Sequence, residues 1–334
     1  MQMSDTVTFI LTAILTFAIT VLVSRKLIPF LKGKKMGQHI LEIGPRWHKN
    51  KEGTPTMGGV AFIIASLICG IAASVYLIIR DGGSAAAGLV ATLAYALACG
   101  LIGVADDLQK FTKKENEGLT AAQKYLLQLL ASGGYLFALV RAGIVTTVLP
   151  IPFTEITLDL GVFYYIFALL LLTGINNSVN LTDGIDGLAS SVTLVVSVFF
   201  ALVSFFAPAA PMADLSVVSA LIMGSTLGFL VYNFYPARVF MGDTGSLFLG
   251  GLVVGAAFLC GSPLIIVLSG IIYIAESASV ILQVGYFKLT HGKRLFLMSP
   301  IHHHFEKKGW GEIKIVCIFS AVTALFCIAA WFGL

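Results

Sequence analysis

Apolar runs of about 20 residues recur along the whole chain, and about 20 residues is what a helix rising 1.5 Å per residue needs to cross a hydrocarbon core of roughly 30 Å. Ten stretches approach this length, beginning near residues 7, 57, 85, 122, 161, 187, 216, 245, 262 and 313. Turn-forming punctuation separates them: DGGS after Arg80, LPIPF at 149–153, APAAP at 207–211 and GSP at 261–263. With 57% hydrophobic and only 11% charged residues among 334, the chain lies outside the range of ordinary water-soluble domains. The expectation is one polytopic membrane domain over residues 1–334, all-α, with ten transmembrane helices. No repeat of fixed period is visible, so an architecture of duplicated transporter halves has no support. The opening MQMSDT has no basic region or small-residue cleavage site before the first apolar run, so the first helix is expected to stay in the mature chain.

A net charge of +4 does not imply nucleic acid, but its placement is informative. Ten spans put the segments 25–51, 106–124, 176–186, 233–244 and 286–314 on one side. These hold 8, 4, 0, 1 and 6 Lys and Arg, which is 19 of the 21 in the chain and leaves only Arg80 and Arg141 opposite. Cytoplasmic loops of membrane proteins carry the basic excess, so both termini are expected to be periplasmic. All six histidines (His39, His48, His291, His302, His303, His304) and nearly all polar motifs share the basic segments, which puts the active site on the cytoplasmic face. The five cysteines, Cys69, Cys99, Cys260, Cys317 and Cys327, lie inside apolar runs without CxxC spacing and suggest neither disulfides nor zinc.

Four polar clusters carry the candidate chemistry. ADDLQK brings Asp106 and Asp107 to the membrane boundary, with Lys110 able to face either acid. One lysine cannot compensate two adjacent carboxylates at low dielectric, so a divalent cation or a proton is expected there; the plainer reading is a solvated helix end with a salt bridge. NNSVNLTDGIDGLA, at 176–189, has no basic residue. Its Asp183 and Asp186 share a face if the turn continues into a helix, beside the amide oxygens of Asn176, Asn177 and Asn180. Oxygen-only donors suit Mg²⁺, and the spacing excludes an EF-hand. YNFYPARVFMGDTGSLFLG places Asp243 at the start of an apolar helix, where a lone carboxylate can serve simply as a cap. In the same loop Asn233, Arg238 and Phe240 offer an amide, a cation and a stacking face to a nucleotide-like ligand.

MSPIHHHFEKKGWGE carries His302, His303 and His304 before Glu306, Lys307 and Lys308. Consecutive histidines point in different directions, so phosphate binding or general-acid work fits them better than one shared metal. The first basic loop adds His48, Lys49 and Lys51, followed by Thr54, Thr56, Gly58 and Gly59, an edge suited to a phosphorylated substrate. Neither a Walker A motif nor GxGxxG after a strand is present. These features together suggest Mg²⁺ bridging a pyrophosphate to the aspartates as a phosphoanhydride breaks, with the lipid phase supplying the second substrate.

Taken in order, GTPTMGG, DDxxK, NxxNLTDGxDGLA, FMGDTGSL and HHHFE cover nearly the whole chain and resemble the bacterial phospho-N-acetylmuramoyl-pentapeptide transferases, members of the polyprenyl-phosphate N-acetylhexosamine-1-phosphate transferase superfamily. The resemblance implies transfer of phospho-N-acetylmuramoyl-pentapeptide from UDP-MurNAc-pentapeptide to undecaprenyl phosphate, giving lipid I and UMP in peptidoglycan biosynthesis. It also implies Mg²⁺ as cofactor, a multi-pass protein of the bacterial inner (cytoplasmic) membrane, and a homodimer. Residue by residue it assigns catalysis to Asp106, Asp107, Asp243, His302, His303 and His304, with Asp243 the principal metal ligand and Asp183 supporting the metal site. It makes Lys110 and Lys124 phosphate partners and Asp186, Asn233 and Phe240 uridine contacts, with the Phe240 ring against uracil; Lys51, Thr56, Asn180 and Gln283 complete the substrate contacts. Ala105 replaces the glycine usual before DD, and NFYPARVF replaces a smaller, more proline-rich stretch, departures that bear on pocket shape and not on reaction class.

Two rivals remain. A UDP-N-acetylglucosamine polyprenyl-phosphate transferase would share the acidic clusters, but that branch typically has an arginine before its histidines, where this chain has Ile301. A transporter would place acids near the bilayer midplane. Here Asp106, Asp107, Asp183, Asp186 and Asp243 fall at helix ends or loops, and Glu276 alone is expected inside the membrane, with Gln283 two turns on.

Overall fold

A computed structural model describes residues 3–34, 51, 53–113, 118–207 and 212–334, so His39, His48 and Lys49 lie outside the described residues. In chain order the elements are α1 (Met3–Gly33), α2 (Val60–Asp81), α3 (Ala87–Lys113), α4 (Ala121–Arg141), β1 (Val148–Pro150), β2 (Thr157–Asp159), α5 (Phe163–Thr182), α6 (Leu188–Phe206), α7 (Ala213–Asn233), α8 (Gly242–Leu259), α9 (Ile265–Ser269), α10 (Ile271–Leu289), α11 (Ile301–Lys307) and α12 (Glu312–Trp331). Among the described residues α1, α2, α3, α5, α6, α7, α8 and α12 are long and apolar enough to cross a membrane. The protein is therefore a helical, multi-pass membrane protein. Two further helices, α4 and α10, are 21 and 19 residues long, but Gln123, Lys124 and Gln128 in one, and Glu276, Gln283 and Lys288 in the other, make them more polar.

Two details depart from the sequence reading. The LPIPF break forms part of a short antiparallel ribbon, β1 with β2, in which Val148 faces Asp159, a local addition to an all-helical fold. The run expected from about residue 262 is divided, because Gly270 interrupts the helical path between the short α9 and α10.

Buried share separates the centre from the periphery: 83% of the membrane-length window of α8 is buried against 17% of that of α1. Lipid tails are as apolar as leucine, so helices in a membrane gain most by letting small residues bring backbones together. Accordingly α8 meets α3 where a Cβ on Gly251 would stand 2.8 Å from the Ala96 Cα and one on Gly255 2.4 Å from the Thr92 Cγ2. In α7, Gly224 and Gly228 admit α1, with Ala13 and Phe17 carbonyl oxygens in the places their Cβ atoms would need.

Polar groups gather at the two ends of this bundle. At one end Arg80 closing α2 pairs with Asp5 of α1 at 2.6 Å, and Asp214 in the first turn of α7 lies against Gly88 at the start of α3, where a Cβ would stand 2.6 Å from its Oδ2. Gly333, after α12, rests on Phe153 and Pro152 beside the ribbon. The other end collects Lys51 and residues 53–59 before α2, residues 118–120 before α4, and the segments that join α5 to α6, α7 to α8 and α10 to α12, and there the acids converge.

Candidate active site

The geometry begins where α3 crosses the first turn of α8. Gly242 opens α8 at φ +68°, where a side chain would also strike Asp107 Oδ2 and Thr56 Oγ1. No side chain of its own caps α8. Asp107, from α3, does so across the helix interface: its Oδ2 accepts from the Thr244 N–H at 2.9 Å and the Thr244 hydroxyl at 2.7 Å, and its Oδ1 from the Asp243 N–H at 3.4 Å. A carboxylate here is favoured by the partial positive charge of a helix start. Its neighbour Asp106 turns the other way. Its Oδ1 accepts from the Leu119 N–H at 2.9 Å and its Oδ2 meets Lys110 at 2.7 Å. Leu119 leads into Thr120, which with Gln123 forms a capping box, and the first turn of α4 then delivers Lys124. The adjacent pair thus holds two helix starts, one on each side.

Asp243 is the meeting point. Its Oδ2 lies 2.7 Å from Lys124 Nζ and 3.0 Å from Lys110 Nζ, and its Oδ1 accepts from Asn180 Nδ2 at 2.8 Å. The same Asn180 amide donates to Ser246 at 2.7 Å. One carboxylate oxygen from each of Asp106, Asp107 and Asp243 falls within 4.8 Å of the others. Three carboxylates beside two ammonium groups leave an oxygen-rich, net negative centre, the donor set a hard divalent cation prefers; the residues present fit Mg²⁺.

Asp183 and Asp186 do not continue a helix. α5 ends at Thr182, and Gly187, left-handed at φ +75°, precedes α6, so both acids lie in the intervening turn. Asp183 is half-buried and outside the three-carboxylate group. Burial first, then the charges of Asp243, Asp107 and Asp186, push its carboxyl up to about 8. A carboxylate raised in the folded state contributes stability that is complete below its unfolded value and lost as pH rises through about 8. With divalent cations chelated, the wild-type melting temperature is expected to fall between pH 7 and 9 while that of Asp183→Asn stays flatter; parallel curves would remove Asp183 as the titrating group.

Asp186 is fully engaged: Oδ1 with Lys51 at 2.6 Å, Oδ2 with the Ala237 N–H at 2.8 Å. Next to it the loop before α2 runs alongside the loop before α8. Phe240 donates its N–H to Pro55 at 2.8 Å, while Gly58 and Gly59 donate to Phe240 and Met241 at 2.8 and 3.1 Å. This ladder brings Thr56 to Gly242 and leaves the Phe240 side chain partly exposed. Asn233 is 2% exposed; its amide donates to the Val239 carbonyl at 3.0 Å and accepts from Ser190, so it shapes the loop before α8 from within.

The histidines diverge as consecutive residues must. His302 is wholly buried, its Nδ1 3.1 Å from Glu276 of α10 and its ring against Gly184, where a Cβ would lie 2.1 Å from Nε2. His303 meets Glu306 at 2.6 Å. His304 accepts from the Leu297 N–H at 3.1 Å, and burial followed by Lys308 lowers its pKa. Gln283 accepts from the Phe296 N–H at 2.8 Å and lines a separate cavity of about 440 Å³ with Lys288, Arg294 and Lys307, in which none of the aspartates takes part. Sequence reasoning missed Thr244, Ser246 and Glu312, whose partners lie far away along the chain; for Glu312 no local signal exists.

Over residues 89–261 the chain matches the family described as glycosyl transferase family 4, and over residues 51–63 the phospho-N-acetylmuramoyl-pentapeptide-transferase signature 1. It is 47% identical over 328 residues to the phospho-N-acetylmuramoyl-pentapeptide-transferase of Clostridium novyi (strain NT), covering 97% of this chain and 96% of that one. To the proteins of that name from Clostridium perfringens (strain 13 / Type A) and Clostridioides difficile (strain 630) it is 43% identical, each alignment covering 97% of this chain and 98% and 96% of theirs. The chain belongs to the phospho-N-acetylmuramoyl-pentapeptide-transferase family.

As a member it is a membrane-embedded phosphoglycosyl transferase of peptidoglycan biosynthesis. The family signature coincides with the Lys51 to Ile63 segment that carries the backbone ladder. The longer match contains all five aspartates of the site, whereas the histidines and Glu312 lie beyond it.

Proposed function

We propose that this transferase moves phospho-N-acetylmuramoyl-pentapeptide from UDP-MurNAc-pentapeptide to undecaprenyl phosphate, giving lipid I and UMP, with Mg²⁺ as its cofactor. The observation that carries the reading is the convergence of Asp106, Asp107 and Asp243 with Lys110 and Lys124 at the ends of membrane-length helices. In the balanced reaction a phosphate oxygen of the lipid bonds to the sugar-bearing phosphorus. The bond from that phosphorus to the bridging oxygen breaks, and UMP departs with the electron pair. Mg²⁺, held by Asp243 with Asp106 and Asp107 and supported by Asp183, would offset the negative charge of the diphosphate.

The chain's own groups do the positioning. Lys110 and Lys124, paired with Asp243, present ammonium protons where phosphoryl oxygens pass. Asn180 keeps Asp243 in one rotamer. Asp186 and the Phe240 ring bound the nucleotide side, with Thr56 at its edge. In this reading His303 and His304 of α11 have catalytic roles, and the buried His302 holds the Asp183–Asp186 turn through its contact with Gly184. Gln283, beside its basic cavity, is read as a further substrate contact.

The same reading takes residues 1–334 as one domain with ten spans, counting α4 and the α9–α10 pair among them. Both termini are then periplasmic and the acids face the cytoplasm beneath the bacterial inner membrane, a reading supported by the 19 of 21 basic residues that fall in the sequence segments 25–51, 106–124, 176–186, 233–244 and 286–314. The assembly is taken as a homodimer. The test offers purified protein UDP-MurNAc-pentapeptide or UDP-N-acetylglucosamine with undecaprenyl phosphate. Lipid I and UMP are expected from the first alone, abolished by chelation and restored by Mg²⁺. A lipid-linked N-acetylglucosamine product would transfer the protein to the sister branch, and undiminished turnover in chelator would remove the metal from the reading.

A further inference from the structure

Lys51 Nζ lies between two carboxylates, 2.6 Å from Asp186 Oδ1 and 2.7 Å from Glu312 Oε2. The same Glu312 oxygen accepts the Asp186 N–H at 2.9 Å. Glu312 is the first residue of α12, so this contact ties the last helix to the turn between α5 and α6 and to the loop before α2. The three side chains are 16%, 2% and 11% exposed for Lys51, Asp186 and Glu312, a nearly dry setting in which the geometry is held. Among the described residues the ammonium of Lys51 has these two acceptors.

We infer that Glu312 is a positioning residue for the nucleotide half of the site, acting through Lys51 and the Asp186 turn. The inference rests on the reading of Asp186 as a nucleotide contact. Two effects of Glu312 oppose each other. Its negative charge disfavours an incoming diphosphate, so its loss would help binding if charge dominated. Its hydrogen bonds hold the Asp186 backbone and keep Lys51 from collapsing onto Asp186 alone, so its loss harms binding if position dominates. The hydrogen bonds that Glu312 makes to the Asp186 N–H and the Lys51 ammonium outweigh the field of one carboxylate that a lysine in contact offsets in part. Position therefore decides.

The experiment compares Glu312→Ala, Glu312→Gln and Glu312→Asp with Asp186→Ala, reading kcat and the two KM values separately. Glu312→Ala is expected to raise KM for UDP-MurNAc-pentapeptide roughly 10-fold while kcat and KM for undecaprenyl phosphate change by less than about twofold. Glu312→Gln, which keeps an acceptor oxygen without the charge, is expected to fall between wild type and Ala; Glu312→Asp restores most of the loss. A lower KM in Glu312→Gln would show that charge dominates and overturn the inference. So would equal changes in both KM values, or a loss of melting temperature with KM unchanged. If Glu312→Ala does not insert, Glu312→Gln carries the same comparison. Should Asp186→Ala leave the nucleotide KM at its wild-type value, the nucleotide reading itself fails. A raised KM in Asp186→Ala beside unaltered Glu312 variants would remove Glu312 alone.

Discussion

Asp243→Asn is expected to lower UMP release by about 10³-fold or more, with the protein still inserted and folded. The wild-type carboxylate holds Lys110 and Lys124 on one oxygen and Asn180 on the other. An amide of the same shape keeps the volume and one acceptor oxygen but replaces the other oxygen with an NH2 donor and removes the charge, so both lysines lose their shared anion and the oxygen-rich centre loses a full charge. Folding survives because Asp243 also repels Asp106 and Asp107, so removing its charge relieves repulsion as it breaks ion pairs. Assaying UMP release beside a melting curve in detergent separates the two. Wild-type UMP release from the variant would take Asp243 out of the mechanism.

Gly103→Ala is the second large effect. A Cβ at Gly103 would stand 2.2 Å from the Asp243 carbonyl oxygen and 2.5 Å from the Thr244 nitrogen, backbone atoms that no rotamer change can move. The two helices must separate, which stretches the Asp107 bonds to Thr244 and pulls the acids of α3 away from Asp243. Overpacking of this kind costs about 1–3 kcal/mol or more, and the misplaced site is expected to lose about 100-fold in turnover. One turn earlier, Gly100→Ala meets only side-chain atoms at 3.2 Å or beyond and serves as the control, expected to stay near wild type. Equal rates for the two variants would show that the α3–α8 approach does not set the site.

Membrane character was legible because burial in lipid demands long apolar helices, and each expected apolar run corresponds to helical structure. The segment after 262 was harder to read, since hydropathy averages over Gly270 and hides the break. Asp106, Asp107, Lys110, Asp183, Asp186 and Asp243 were legible as charged groups at helix boundaries, where a charge is costly without a partner. Their division of labour was not. Asp107 caps a helix 136 positions away, and Asp106 holds the start of α4. Asn233, expected to meet a ligand, is turned inward by its bond to Val239, and His302 is buried against Gly184 by its contact with Glu276.

Sequence alone determined that the chain crosses a membrane and that Asp106, Asp107, Asp183, Asp186 and Asp243 lie at helix ends or turns, because hydropathy and charge are properties of residues in order. It also carried the family, through five motifs in series. Which carboxylate meets which lysine, how α12 reaches the Asp186 turn, and how closely α3 approaches α8 were decided by tertiary structure. Hydrogen bonds act over about 3 Å, and only packing brings residues more than a hundred positions apart within that distance.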